Sequence, residues 1–221
     1  QLFAAADAGQ LQNLDTVRVH VNRLFTTHPL AKDRVADFFR VYTRSDFVGS
    51  PFAPAGAVQG VDTVNLRTEM VQELAAFTSH IVWTKGGKVR DLMTSREVFP
   101  RSARMAKVLE TTVASGATPS VTTAVHAGLL QRPALLTNNS GHTLPYTRAA
   151  AIRKGYLCEQ FGDPDPALIA QREEQLGDLS NLSNRDRLTQ LTNSPVCLTC
   201  HSLLNPVGFA LEGFDQLGMP R

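Results

Sequence analysis

The sequence predicts a mainly α-helical protein with few strands. Apolar residues recur at helical spacing along most of the 221-residue chain, and strand-like β-branched residues form only the short run 121–125. A composition of 43% hydrophobic and 19% charged residues is typical of a globular protein, and a chain of this length can bury a core. We therefore expect packed helices joined by loops.

The helices are predicted one by one from their apolar stripes and from the residues that interrupt them. A stretch rich in Gly, Pro and Ala breaks the pattern at 49–60, and residues 85–88 end the longest helix, whose stripe runs from Leu66 to Ile81. A second Gly and Pro break lies at 162–166. The predicted helices are 15–27, 29–42, 66–84, 90–96, 145–161, 167–176 and 184–192.

Two regions are predicted: a helical domain at 1–115, and a loop-rich α-helical domain at 116–221. Within the first, Glu69 and Glu73 lie one turn apart on the long helix. This spacing is typical of a solvated face, and acid–base chemistry is the alternative.

Charge and hydropathy exclude two classes of partner. The 22 basic and 20 acidic residues leave a net charge of +2, without the concentrated basic face that nucleic acids require. Charges interrupt every apolar run before the roughly 20 residues that a membrane span needs. The first residues include neither an initiator Met nor a signal-like pattern, so we expect the numbering to begin in mature or fragmentary protein.

The motif Cys-Leu-Thr-Cys-His at 197–201 matches the C-x-x-C-H signature of covalent haem attachment. Thiols three positions apart lie about one helical turn apart, so Cys197 and Cys200 can each form a thioether with a vinyl group on one edge of the porphyrin. Neutral Nε2 of His201 is then the expected proximal iron ligand, with Nδ1 donating to a backbone carbonyl. The motif predicts one covalent haem c.

Other interpretations of the motif are weaker. Three cysteines and six histidines in a chain of this length seldom produce it by chance. A zinc site would need a second Cys pair, and Cys158 with a distant His would form an irregular ligand set. A redox dithiol would need a preceding strand that the sequence lacks. Cys158 itself is expected to be a small buried residue, with a disulfide as the alternative.

The residues after the motif predict the surroundings of the haem. The acceptor for His201 Nδ1 is expected within 205–208, where Pro206 stiffens the chain. Phe209 and Phe214 belong to an apolar run that is expected to line the macrocycle, although each could equally be core. The candidates to pair with the haem propionates are Arg148, Arg153, Lys154 and Arg221, of which Lys154 is more typical of solvated surface.

The identity of the distal iron ligand decides between two functions: a second protein ligand favours electron transfer, and an open position favours small-molecule chemistry. Met219 precedes a Pro, as in the Met-Pro loops that close many cytochrome c sites, and His142 lies in a turn-rich loop that could present its imidazole to iron. Another ligand or an open site is the third alternative. For either residue, a surface loop without an iron contact is the competing interpretation.

A longer pattern extends from the motif to the end of the chain. After C-x-x-C-H the sequence has an apolar pair, Asn-Pro, Gly-Phe-Ala, Glu, Phe-Asp, Gly and Arg, at 203–206, 208–210, 212, 214–215, 218 and 221. This pattern resembles the haem-bearing modules of planctomycetes and myxobacteria that form a cytochrome-like family of unknown function.

The resemblance covers nearly the whole chain. Two departures occur: Leu144 stands where the family has Ser before the Pro, and its Pro-rich stretch is reduced to Pro164 and Pro166. The resemblance implies an internal fragment, with a helical part expected before residue 1 and a further module after residue 221. The matching upstream segments are 2–11, 66–77, 126–130 and 148–158.

The leading functional hypothesis is an exported c-type cytochrome that transfers single electrons. Because c-type haem is attached outside the bacterial cytoplasm, we expect a periplasmic, outer-surface or extracellular location. The expected partners are redox proteins, including other cytochromes in a complex. The alternatives are a haem enzyme acting on peroxide or another small oxidant, and an interaction or structural subunit of a larger cytochrome assembly.

Overall fold

A computed structural model describes residues 1–43, 45, 60–113, 120–121, 125–138 and 142–221. Helices account for most of these residues, which confirms the prediction of a mainly helical fold with few strands. Within these ranges, no helix is both long and apolar enough to cross a membrane.

The first half contains α1 (Leu2–Asp7), α2 (Leu14–Thr26), α3 (Ala31–Tyr42), α4 (Leu66–Ser79), α5 (Val89–Thr94) and α6 (Ala103–Val108). A π-helical turn at His80–Thr84 continues α4. The second half contains α7 (Pro133–Leu136), α8 (Pro145–Tyr156), α9 (Pro166–Leu176), α10 (Asn184–Leu191) and α11 (Pro195–Ala210). Strand β1 (Glu97–Val98) pairs antiparallel with β2 (Ser120–Val121).

Side-chain caps and prolines determine where several helices begin. Asn13 Oδ1 accepts a hydrogen bond from the backbone N–H of Asp15 at 2.8 Å, and Asp165 Oδ1 accepts one from Ala167 at 2.9 Å. A proline occupies the first turn of α8, α9 and α11, where its missing N–H has no helical partner to lose. These starts therefore follow directly from the sequence.

Helix α8 ends earlier than predicted. The stripe predicted a helix to residue 161, but α8 stops at Tyr156, and Cys158 adopts a left-handed backbone with φ of +56°. The turn exposes Cys158, so its expected burial was wrong. The predicted loop at 49–59 and residues 122–124 of the predicted β-branched run lie outside the described residues.

The first helices bury less of their apolar stripes than expected. Val21 and Phe25 of α2 are exposed, and in α3 it is Phe39 that is buried. Phe39 joins the core centred on α4, which lies next to α3. Val17 and Leu24 of the predicted stripe are half-buried, so α2 buries only part of it, and α4 is the central helix of the first half.

One hydrophobic core contains residues from both predicted domains. Met70 and Phe77 of α4 pack with Leu129 from the second half and with Leu217 and Met219 beyond α11. The second half therefore completes the core of the first, and the division at 115/116 stays a prediction about the sequence.

A buried ion pair also joins the halves. Arg132 Nη1 lies 2.9 Å from Glu73 Oε1, and the two side chains are 0% and 1% exposed. The same carboxylate oxygen accepts the backbone N–H of Phe99 at 3.2 Å, and the guanidinium lies 3.7 Å from the centre of the Phe77 ring. The expected solvated face was therefore wrong, because Glu73 is buried and Glu69 binds Arg104 at 3.0 Å.

His126 connects the start of the second half to its end. Its Nε2 lies 2.7 Å from the carbonyl oxygen of Gly218, and because that oxygen only accepts, Nε2 carries the proton. Burial lowers the pKa of His126 to about 4, although the Gly218 carbonyl opposes this shift; the positive charge of Arg132 lowers the pKa further. The neutral imidazole is therefore the form that the fold stabilises.

The unfolding free energy is expected to depend on pH through His126. Because its pKa falls from 6.5 to about 4 on folding, this stabilisation is complete above pH 6.5 and is lost as the pH falls toward 4. The loss amounts to about 3 kcal/mol at 1.36 kcal/mol per pKa unit. Urea unfolding of wild type and His126→Gln across this range measures the difference. Glutamine keeps a donor without titrating, so parallel pH profiles would contradict the prediction.

Candidate functional site

Helix α11 carries the C-x-x-C-H motif close to its N-terminus. Ser194 caps this helix, and its Oγ accepts a hydrogen bond from the backbone N–H of Cys197 at 3.4 Å. Pro195 occupies the first helical position. Since the helix begins before the motif, Cys197 and Cys200 lie one turn apart on it, and His201 follows on the same side.

The two thiols and the imidazole share a half-buried face of α11. Cys197 and Cys200 are free thiols, and neither they nor His201 is fully exposed. Three apolar side chains of the same helix are exposed beside the motif, namely Val196, Leu198 and Leu203. Free thiols beside exposed apolar side chains form a surface suited to covalent attachment of an apolar, planar group.

His201 has a hydrogen-bond partner one turn further along α11. Its Nδ1 lies 3.0 Å from Oδ1 of Asn205. The sequence predicted a backbone carbonyl from 205–208 as this acceptor, but the partner is the Asn205 side chain. The reason is that α11 continues to Ala210 with Pro206 inside it, so position 205 lies directly after His201 on one helix face.

Thr192, at the end of α10, holds Asn205. Asn205 Nδ2 donates to Thr192 Oγ1 at 2.9 Å, and the Thr192 hydroxyl donates to the carbonyl of Leu188 at 2.7 Å. Tyr146 of α8 lies on another side of the imidazole, edge to face, with ring centroids 6.0 Å apart. The Asn205 hydrogen bond and the Tyr146 ring thus limit the orientation of the imidazole.

The close packing of α8 on α11 depends on Gly208. A Cβ atom at this position would lie 2.3 Å from the backbone carbonyl oxygen of Pro145, closer than atoms can pack. Glycine is therefore required where the two helices cross, three residues beyond Asn205.

Gly208→Ala is expected to lower the unfolding free energy by about 2 kcal/mol, because the added methyl must push α8 away from α11. Chemical denaturation of the full chain measures this effect. Gly213→Ala is the matched control, since a Cβ there would have no heavy atom within 4 Å. Equal stability of the two variants would show that the helices adjust without cost.

Two family models match the chain. Residues 126–221, which include α11, match PSCyt3, a protein of unknown function (DUF1588), and residues 1–110 match PSD4, a protein of unknown function (DUF1592). The two matched regions confirm the predicted resemblance to planctomycete cytochrome-like families of unknown function. In searches of curated proteins and of solved structures, nothing matched. The motif therefore lies in a cytochrome-like module, the PSCyt3 region, preceded by the PSD4 region.

Arg148 organises the PSCyt3 region beyond α11. This buried guanidinium donates to the carbonyl oxygens of Leu136 at 2.8 Å, Leu211 at 3.0 Å and Phe214 at 2.9 Å, and also to that of Asp215. Burial lowers the pKa of Arg148 to about 10, so it stays charged at neutral pH. The guanidinium donors of Arg148 therefore bind backbone carbonyls, and not the haem propionate for which Arg148 was a candidate.

The predicted lining residues of the PSCyt3 region fall into two groups. Phe214 is buried with Leu136 and Leu211, its ring centroid 5.1 Å from that of His126. In contrast, Phe209 is half-buried on α11 with the Arg185 guanidinium 4.9 Å from its ring centroid, and Pro206 is exposed. The structure thus places Phe209 and Pro206 on the motif helix and Phe214 in the interior.

Two other predicted residues, His142 and Arg221, lie next to Thr143. His142 is exposed, and the adjacent Thr143 Oγ1 accepts hydrogen bonds from Asn184 Nδ2 at 2.9 Å and from Arg221 Nη2 at 3.3 Å. Arg221 also lies 3.8 Å from the Glu212 carboxylate. These contacts fasten the segment after His142 to α10 and to the last residue of the chain.

The sequence did not indicate Tyr146, which contacts His201 from α8, or Thr192, which binds Asn205 from the end of α10. The contact with Asn205 could have been predicted, because a side chain four positions after a histidine lies next to that histidine on a continuous helix. Throughout the ranges that the structure describes, no three His, Cys, Asp or Glu side chains form a metal-binding group. The candidate site is therefore the motif face of α11 with its supporting residues.

Proposed function

We propose that this chain is an exported c-type cytochrome that carries one covalent haem and transfers single electrons. The observation that carries the proposal is the shared face of α11, where two free thiols one turn apart precede an imidazole whose Nδ1 already has an acceptor. Two thiols and one imidazole in this order are the donor set that haem c requires. The PSCyt3 match to a cytochrome-like module supports the same assignment.

Each residue of the motif has one role in this proposal. Cys197 and Cys200 would hold the haem through thioethers, and His201 would bind its iron through Nε2. The bound haem would supply a one-electron iron couple. The half-burial of the face favours electron exchange, because part of the cofactor would stay near the protein surface. Phe209 and Pro206 are proposed to border it, and Arg221 to face its propionates.

Location and partners follow from the same proposal. Covalent haem attachment outside the bacterial cytoplasm implies a periplasmic, outer-surface or extracellular protein. A carrier of single electrons needs a donor and an acceptor, so we propose redox proteins as partners, with other cytochromes of a complex among them.

The attachment is tested by a pyridine haemochrome assay together with peroxidase staining of a denaturing gel, after expression with c-type maturation. Wild type is expected to retain stain, and a Cys197→Ser, Cys200→Ser double variant is expected to lose it. Cys158→Ser is the matched control, because Cys158 is an exposed thiol outside the motif. Stain that is lost from wild type on denaturation, or retained by the double variant, overturns the proposal.

The predicted distal ligands differ in their surroundings. Met219 is 8% exposed, packs in the core with Phe77, and its N–H donates to Asp215 Oδ1 at 2.9 Å. Its sulfur would have to leave that core to reach a metal. We therefore favour His142, whose side chain is exposed.

Carbon monoxide binding to the reduced protein tests the distal ligand. We expect wild type and Met219→Leu to be insensitive to carbon monoxide, because neither lacks the imidazole, and His142→Ala to bind it. A wild-type protein that binds carbon monoxide rapidly would instead support an open site and the small-oxidant enzyme.

A further inference from the structure

We infer that Asn205, held by Thr192, is a positioning residue that fixes His201 in the tautomer whose Nε2 lone pair is available to a metal. The identity of that metal rests on the proposed function. The tautomer does not, because it is set by hydrogen bonds within the chain.

The Thr192 hydroxyl has a fixed donor direction. Its oxygen lies 2.7 Å from the Leu188 carbonyl, which can only accept, so the hydroxyl proton is directed there. Thr192 Oγ1 therefore offers Asn205 a lone pair. The 2.9 Å contact between them then requires Asn205 to be the donor, which orients its Nδ2 toward Thr192.

The orientation of the Asn205 amide determines which nitrogen of His201 is protonated. With Nδ2 on Thr192, Oδ1 of Asn205 faces His201 Nδ1 at 3.0 Å. An amide oxygen only accepts hydrogen bonds, so Nδ1 must carry the proton. In a neutral imidazole, Nε2 then has the lone pair. Leu188 and Thr192, at the end of α10, thus determine which nitrogen of His201, on α11, can bind a metal.

The Asn205 hydrogen bond also affects how strongly His201 Nε2 binds a metal. A histidine that donates its Nδ1 proton to an acceptor becomes a more basic ligand through Nε2, which stabilises the oxidised metal. Thr192 is buried, so water competes little for the hydroxyl that orients the amide. Removing the acceptor should therefore raise the reduction potential of a metal bound at His201.

The tautomer is measured by 15N NMR of the apoprotein in mildly alkaline buffer, where an imidazole side chain is ordinarily neutral. Wild type is expected to show the Nδ1–H tautomer. Asn205→Leu and Thr192→Val should lower the ratio of Nδ1–H to Nε2–H at least about fivefold, the equivalent of one hydrogen bond. Thr192→Ser should retain the ratio, because serine keeps the hydroxyl.

Thr189→Val is the matched control on α10. Thr189 makes the same intrahelical bond, to the carbonyl of Arg185 at 2.8 Å, but its side chain is exposed. This variant should leave the tautomer ratio unchanged. If Asn205→Leu fails to fold, Thr192→Val and Thr192→Ser make the same comparison, and an unchanged ratio in Thr192→Val overturns the inference.

A second measurement uses the haem-loaded protein. Its reduction potential is expected to rise in Asn205→Leu and to stay at the wild-type value in Thr189→Val, and a potential unchanged by Asn205→Leu contradicts the inference. The failures of the two proposals are distinguishable. An apoprotein with the expected tautomers but no covalent haem would leave the inference standing and overturn the proposed function.

Discussion

Replacing Arg132 with methionine is expected to lower the free energy of unfolding by about 3–5 kcal/mol. Arg132 is wholly buried, and its removal would leave the Glu73 carboxylate without its counter-charge in the core. The guanidinium also donates to the carbonyls of Gly128 at 3.0 Å and Ser95 at 3.3 Å, so these acceptors would lose their donor. Equilibrium unfolding of the full chain in guanidinium chloride measures the loss.

Two comparisons separate this effect from a general sensitivity to mutation. Arg34→Met removes an exposed ion pair with Asp37 on α3 and is expected to change stability by less than about 1 kcal/mol. A Glu73→Leu, Arg132→Met double variant should recover much of the loss, because it removes both charges of the pair and leaves neither unpaired in the core. A double variant as unstable as Arg132→Met would show that shape, not charge, dominates at this position.

Replacing Arg148 with methionine is expected to cost about 3–5 kcal/mol, because four buried carbonyl oxygens would lose a charged donor together. These carbonyls belong to α7 and to the turn after α11, so the variant should also loosen the end of the motif helix. Amide hydrogen exchange would report this as faster exchange at Phe214 and Leu217, whose N–H groups are bonded within that turn.

Arg153→Met is the control on the same helix. Arg153 binds Glu159 through two nitrogens at 2.6 and 2.7 Å, but this pair is only part-buried, so its loss should cost about 1 kcal/mol or less. If the two arginine variants unfold at the same denaturant concentration, the carbonyl cluster contributes less than its geometry implies.

Local patterns made much of this fold predictable. Apolar stripes and proline positions identify α8 and α9. Helix α11 was not among the predicted helices, although a capping serine and a proline stand at its start. The spacing of the motif predicts Cys197, Cys200 and His201 as the haem-binding residues, and this assignment stays a prediction. Those predictions depend on residues that are near one another in the sequence.

The predictions that failed concern partners distant in the sequence. Glu73 has helical spacing from Glu69 that is typical of a solvated face, and its burial follows from Arg132, 59 positions away. Arg148 has a charge that suggests a carboxylate partner, yet its carbonyl acceptors lie up to 67 positions further along. A single sequence does not show which distant segments pack against each other, so neither the Glu73–Arg132 pair nor the Arg148 contacts could be predicted from periodicity.

The contact between His126 and Gly218 has a consequence for the order of folding. The two residues are 92 positions apart, and Leu217 and Met219 beside Gly218 fill the core around α4. Contacts that close such long loops are expected to form late, whereas a helix such as α11 needs only its own neighbours. The motif helix is therefore expected to form while the core is still open, and closure of the core by residues 217–219 is expected to be the slow step.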